Sequence, residues 1–70
     1  MQNLLQTIHE KKEINLINKK QTIRIIEINS NEFKFISYEK EFDLKEVKIL
    51  DENAIERFFE FNYQTYHIYA

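Results

Sequence analysis

The run from Thr22 to Tyr38 constrains the fold more than any other stretch, because its apolar residues mirror one another about the midpoint between Ser30 and Asn31. Folded there, Ile28 meets Phe33, Ile26 meets Phe35, Ile25 meets Ile36 and Ile23 meets Tyr38, with Glu27 opposite Lys34. Cross-strand pairs are the unit of sheet stability, and a slip of one residue exchanges every partner. The mirror therefore predicts a β-hairpin in this register. It also predicts a sheet with two apolar faces, because Ile23 and Ile25 point to one side and Ile26 and Ile28 to the other, and the partner arm changes side between Phe35 and Ile36. Two packings satisfy this pattern: a strongly coiled sheet with one helix on each side, or paired bulges that return these residues to one core. A functional alternative leaves Phe33 and Phe35 exposed near the tip, as a stacking platform for unpaired bases or a patch for a protein. Burial is the favoured reading, since opposed apolar residues in mirrored register are what a core requires.

The flanks supply the remaining elements. Leu4, Leu5 and Ile8 recur at helical spacing and predict a helix over 2–12, with Lys11 and Lys12 suited to the negative end of its dipole. Residues 13–18 read as a first strand, turned through Asn18, Lys19, Lys20 and Gln21 so that Leu16 faces Ile23 and Ile14 faces Ile25, on the side of Ile36 and Tyr38. Beyond the hairpin, Phe42 and Leu44 fall across from Tyr38 and Ile36 in a fourth strand, which Val47 and Ile49 continue after a break at Lys45 and Glu46. Asp51 is a good N-cap for a second helix whose stripe is Ile55, Phe58, Phe59, Asn62, Tyr63 and Tyr66. The tail from Gln64 reads either as more helix or, from Thr65, Tyr66, Ile68 and Tyr69, as an added edge strand. The expected architecture is one small α+β domain over residues 1–70. It comprises an N-terminal helix, an antiparallel meander of three to four strands and a C-terminal helix, with a short terminal strand under the second reading of the tail.

Seventy residues lie near the lower limit at which packing alone stabilises a chain, and without cysteine no disulfide can help. An apolar share of 43% supplies the core material. Glycine and proline are both absent. That excludes glycine-rich phosphate loops and the glycine-dependent clamp of one RNA-binding class, and it leaves the turns to Asn, Asp, Ser and Lys. The weight of Ile, Lys, Asn, Phe and Tyr suits coding by an AT-rich genome. No run is long enough to span a membrane and no signal peptide opens the chain, so the expected location is cytoplasmic.

The chemistry points to binding. Ser30 and Ser37 are the only serines and His9 and His67 the only histidines, in no spacing that suggests a triad, so no catalytic residue is expected. His9 and Glu13 stand four apart, but two groups do not complete a metal shell, and neither a metal nor another cofactor is expected. Residues 39–60 carry eight acids and four bases, against four acids and six bases in residues 1–38. Glu39, Glu41, Asp43 and Glu46 alternate along the probable edge strand, either guarding it against aggregation or imitating the spacing of nucleic-acid phosphates. Glu52, Glu56 and Glu60 form a row on one flank of the second helix, from which Phe61 points away from the core stripe. Six of the ten aromatic residues lie between Phe58 and Tyr69, more than one helix buries against a small sheet. The candidate protein-binding residues are therefore Glu39, Glu41, Asp43, Glu56, Glu60, Phe61, Tyr66 and Tyr69.

With Leu4-Leu5-x-x-Ile8 opening the chain, the hairpin of residues 22–38, the acids of 39–43 and the helix of 51–61, the sequence resembles small phage-encoded anti-defence proteins, in particular compact anti-CRISPR inhibitors. The resemblance implies a protein partner, a host defence nuclease or complex, engaged through acidic side chains. The expected function is a non-enzymatic protein-binding module of that kind. Two alternatives stand beside it. One is a single-stranded nucleic-acid binder using Phe33, Phe35, Lys34 and the Lys19–Lys20 turn, and the other is a homodimer formed through an edge strand or the aromatic tail.

Overall fold

The computed structural model describes residues 4–40, 43–62 and 66–69. Helix α1 (Leu4–Lys11) leads into strands β1 (Glu13–Ile17), β2 (Thr22–Glu27), β3 (Glu32–Lys40) and β4 (Asp43–Asp51), followed by helix α2 (Glu52–Asn62) and strand β5 (His67–Tyr69). The strands form one sheet in the order β4-β3-β2-β1-β5, with every neighbour antiparallel. The fold is α+β, as the sequence pattern predicts, with four meander strands between the helices. The tail resolves to the strand reading, with Leu16 facing Ile68 across β1 and β5.

The hairpin forms, but one residue out of the mirrored register. Ile25 pairs with Phe35, Ile23 with Ser37 and Glu27 with Phe33, where the mirror sets Ile25 against Ile36 and Ile28 against Phe33. The turn explains the shift. A two-residue turn at Ser30 and Asn31 would need positive φ at one or both positions, which glycine adopts most readily, and the chain has no glycine. The loop instead spans one residue more, closed by the Ile28 N–H donating to the Glu32 carbonyl at 2.9 Å. Asn29 organises it: Oδ1 accepts from the backbone N–H groups of Asn31 and Glu32, both at 2.9 Å, and Nδ2 donates to the Glu32 carboxylate at 2.8 Å. No residue of this loop has positive φ.

That register determines the core. Ile23, Ile25, Phe33, Phe35 and Ser37 share one face of the sheet with Ile14 and Leu16, which sit opposite Ile25 and Ile23 as expected. Leu5 and Ile8 from α1 and Ile55 and Phe59 from α2 bury against that face. Phe33 and Phe35 are therefore core residues, 0% and 8% exposed. Both helices pack on this same face and against each other, and the β2–β3 register runs without a bulge, so neither of the two expected packings is the one formed. Ile36 and Tyr38 fall on the opposite face from Leu16, and Ile28 is left exposed near the tip.

The β3–β4 pairing also departs from expectation. Leu44 faces Tyr38 and Val47 faces Ile36, with register shifts that fall at Lys45 on β4 and at Glu39 on β3. The irregularity falls where the sequence suggests a break, at Lys45, and an extra residue on each strand re-aims the side chains beyond it. Phe42 lies outside the described residues.

Capping follows the sequence closely. Asp51 Oδ1 accepts from the Ala54 N–H at 2.8 Å, satisfying an orphan donor at the start of α2. The Glu52 N–H donates to the Asn31 carbonyl at 2.9 Å, tying α2 to the hairpin loop. At the other helix Lys12 takes the left-handed position, φ 68°, with its N–H donating to the Ile8 carbonyl at 2.7 Å. Glycine usually fills that position, and a side chain there costs about 1–2 kcal/mol.

Because Asn29 sets the loop length that fixes the register, Asn29→Ala should lower the unfolding free energy by about 1 kcal/mol in urea titration, in line with other lost side-chain caps.

Candidate interaction surface

The face of the sheet turned away from the helices is built from three cross-strand rows. Glu13, Ile26, Lys34 and Ile49 form the first, Asn15, Arg24, Ile36 and Val47 the second, and Ile17, Thr22, Tyr38 and Leu44 the third. No described element covers them. Ile36 is buried, while Leu44, Val47 and Ile49 on β4 are 58%, 44% and 55% exposed. These three occupy alternate positions of one edge strand, with the Lys45 bulge keeping Leu44 on the same side as the others. The opposite side of β4 carries Glu46 and Lys48, an ion pair at 2.9 Å, and then Leu50, which faces Phe33 and packs against the core. Up to Ile49 the strand thus leaves its apolar side chains in solvent, and clustered exposed apolar residues of this kind mark interaction sites.

The acidic candidates do not gather into one surface. Glu39 is bound by Lys45 at 2.8 Å, so the two residues left over by the bulges neutralise each other, and the carboxylate beside it raises the affinity of the Lys45 ammonium for its proton. Asp43 is exposed at the start of β4, opposite Lys40. Glu56 and Glu60 lie on α2, in the helix layer, where they line a shallow depression with Asn53 and Arg57. Arg57 breaks the row into mixed charge. Glu41 and the side chains of Phe61 and Tyr69 lie outside the described residues.

Tyr66 is half-buried. It packs against the core, its hydroxyl donates to Gln21 Oε1 at 3.0 Å, and Gln21 Nε2 in turn donates to the buried Ser37 hydroxyl. Burial pushes the Tyr66 phenol above its ordinary range. Phe58 lies between Phe35, Phe59 and Tyr66, with ring centroids 5.1, 5.8 and 5.8 Å away. Much of the C-terminal aromatic cluster is thus core material.

One polar cluster escapes the sequence reading. Glu27 ends β2 on the core face, opposite Phe33, with its side chain only 8% exposed. His9 Nδ1 lies 2.9 Å from its Oε1; since a carboxylate only accepts, that nitrogen carries the hydrogen. Lys12 Nζ lies 2.9 Å from Oε2, an ion-pair contact that does not meet hydrogen-bond geometry. The Glu27 N–H also donates to the Lys12 carbonyl at 2.9 Å. The helix end and the strand end are therefore joined through both backbone and side chains, and His9 serves Glu27 rather than Glu13. Spacing could not reveal this, because His9 and Glu27 are far apart in sequence and meet only when α1 folds back on β2. Among the described residues no group of three or more His, Asp or Glu could hold a metal ion, and no helix is long and apolar enough to cross a membrane.

Lys12 first and His9 second hold the Glu27 carboxyl below the usual carboxylate range. A depressed native value stabilises the fold above the unfolded value, and that stability is lost as pH falls through the native one. Chemical denaturation across an acid series should show the wild type losing more stability than Glu27→Gln between neutral pH and the range below about pH 4, where the unfolded glutamate is protonated. No protein-family model, curated protein or solved structure matches the chain.

Proposed function

We propose that this chain is a non-enzymatic protein-binding module that docks a protein target on the outer face of its sheet. The observation that carries the reading is the uncovered apolar cluster of Leu44, Val47 and Ile49 beside Tyr38 and Ile36. Exposing such a cluster on so small a domain invites aggregation unless another surface covers it. The surroundings suit an interface: Arg24, Lys34 and Glu13 lie in the same rows and supply a charged rim around an apolar centre. Glu39 and Asp43 fall at one end of the same strand pair and extend that rim with acidic groups.

The finer proposal, a phage or mobile-element inhibitor of a bacterial defence complex of the CRISPR type, rests on the architectural resemblance alone. The nucleic-acid alternative loses its support, since Phe33 and Phe35 lie beneath the helices and have no face free for stacking.

A tagged wild-type bait in the native host identifies the target, and purified variants then locate the contact. Tyr38→Ala, one strand in from the edge, and Ile49→Glu should each weaken binding by about 2 kcal/mol or more, as interface centres do, while Glu56→Lys/Glu60→Lys on the helix layer should leave it unchanged. The reverse result would move the contact to α2 and overturn the assignment to the sheet face.

A further inference from the structure

The sheet has two edges of unequal character. β5 closes one with three residues, whereas β4 presents nine along the other, with no described segment paired to its outer side. An edge of that length carries unpaired N–H and C=O groups in alternation, a template for another strand. The two lysines along this edge, Lys45 and Lys48, are each engaged by a carboxylate of their own chain, at 2.8 and 2.9 Å.

We propose that β4 pairs antiparallel with β4 of a second copy of this chain, about a two-fold axis at Val47, joining the two five-stranded sheets into one. Such an axis stands perpendicular to the sheet and preserves its faces, so each residue must find a compatible partner on its own side. The sequence of β4 meets that condition around Val47 and the Lys45 bulge. Val47 meets its own copy on the outer face. Glu46 meets Lys48 of the partner subunit on the other face, twice by symmetry, which turns two intrachain ion pairs into an alternating quartet. Passing the bulged Lys45, Leu44 comes opposite the partner's Ile49, again twice. The three most exposed apolar residues of the strand are thereby set against one another, and every charged pair is of opposite sign. Shifting the axis by one residue along the strand would oppose Lys48 to its own copy or Glu46 to its own copy, and either costs stability.

Pairing also enlarges the outer face. The row of Ile36 and Val47 continues into the partner's Val47 and Ile36, giving one apolar band across both sheets. The inference shares Leu44, Val47 and Ile49 with the protein-binding reading, but it is tested on purified protein with no target present, so the two can fail separately.

Light scattering should show a concentration-dependent dimer of the 8.7 kDa chain. Val47→Cys tests the axis directly, because residues opposed in an antiparallel pair have Cα atoms about 4.5–5.5 Å apart, within disulfide range, and the chain has no cysteine of its own. Oxidation should give a covalent dimer, whereas Lys34→Cys on β3, treated alike, should not. Glu46→Lys and Lys48→Glu should each dimerise about tenfold more weakly than wild type, and a mixture of the two should restore the dimer, since each then meets the opposite charge. Circular dichroism of each variant establishes that the monomer is folded. Monomer alone at concentrations up to about 1 mM would overturn the proposal. So would a wild-type dimer that Val47→Cys does not cross-link and the mixed charge variants do not rebuild.

Discussion

The arrangement of this domain depends on how the chain turns between β2 and β3 without glycine. A tight two-residue hairpin turn demands positive φ that serine and asparagine reach only at a cost, and the chain avoids the demand with a longer loop held by the Asn29 side chain. One extra residue in the loop moves β3 by one position against β2. Because side chains alternate at every residue, that single step decides which isoleucines and phenylalanines look inward together. It puts Phe33 and Phe35 beside Ile23 and Ile25, and it leaves Ile36 and Tyr38 on the side no helix reaches. The open outer face is thus a consequence of turn chemistry as much as of composition.

The same scarcity shapes the other end of the core. Lys12 occupies a left-handed position that favours glycine, and its backbone and ammonium both engage Glu27. A buried carboxylate is costly unless paired, and a strained lysine is costly unless held. Each supports the other. With His9 taking the second carboxylate oxygen, the junction of α1 and β2 is fixed by contacts no local sequence pattern encodes.

Element identities were legible in the sequence because they rest on local signals. Helical spacing located α1, Asp51 marked the start of α2, and the pairing of Ile14 and Leu16 with Ile25 and Ile23 followed from the short turn at Asn18, whose Oδ1 accepts from the Lys20 and Gln21 N–H groups. Register beyond the next turn was not legible, since the mirrored apolar residues satisfy more than one pairing and only the loop conformation chooses. Nor could composition assign the helices to one face. The proposed interaction surface uses the apolar positions Leu44, Val47 and Ile49 among the charges of β4, which have no evident exposure until the helices are known to lie on the other side. The acidic positions at 39 and 56 were conspicuous by charge, yet each has a cation close by in the fold.

The position of β5 separates it from the other strands in the chain length its pairing closes. From β1 to β4 each strand lies beside the next in sequence, so those contacts close short loops and lose little chain entropy. β5 instead crosses to the far side of the sheet, where Tyr69 pairs with Asn15 and Ile68 with Leu16. That pairing joins positions far apart in sequence, and from an unfolded chain it loses more entropy than any turn of the meander. The meander and α2 can form first, leaving the exposed side of β1 open until Tyr66 reaches Gln21 and β5 docks. Amide exchange along β1 would then be governed by opening of this late-docking strand, with faster exchange at the groups facing β5 than at those facing β2.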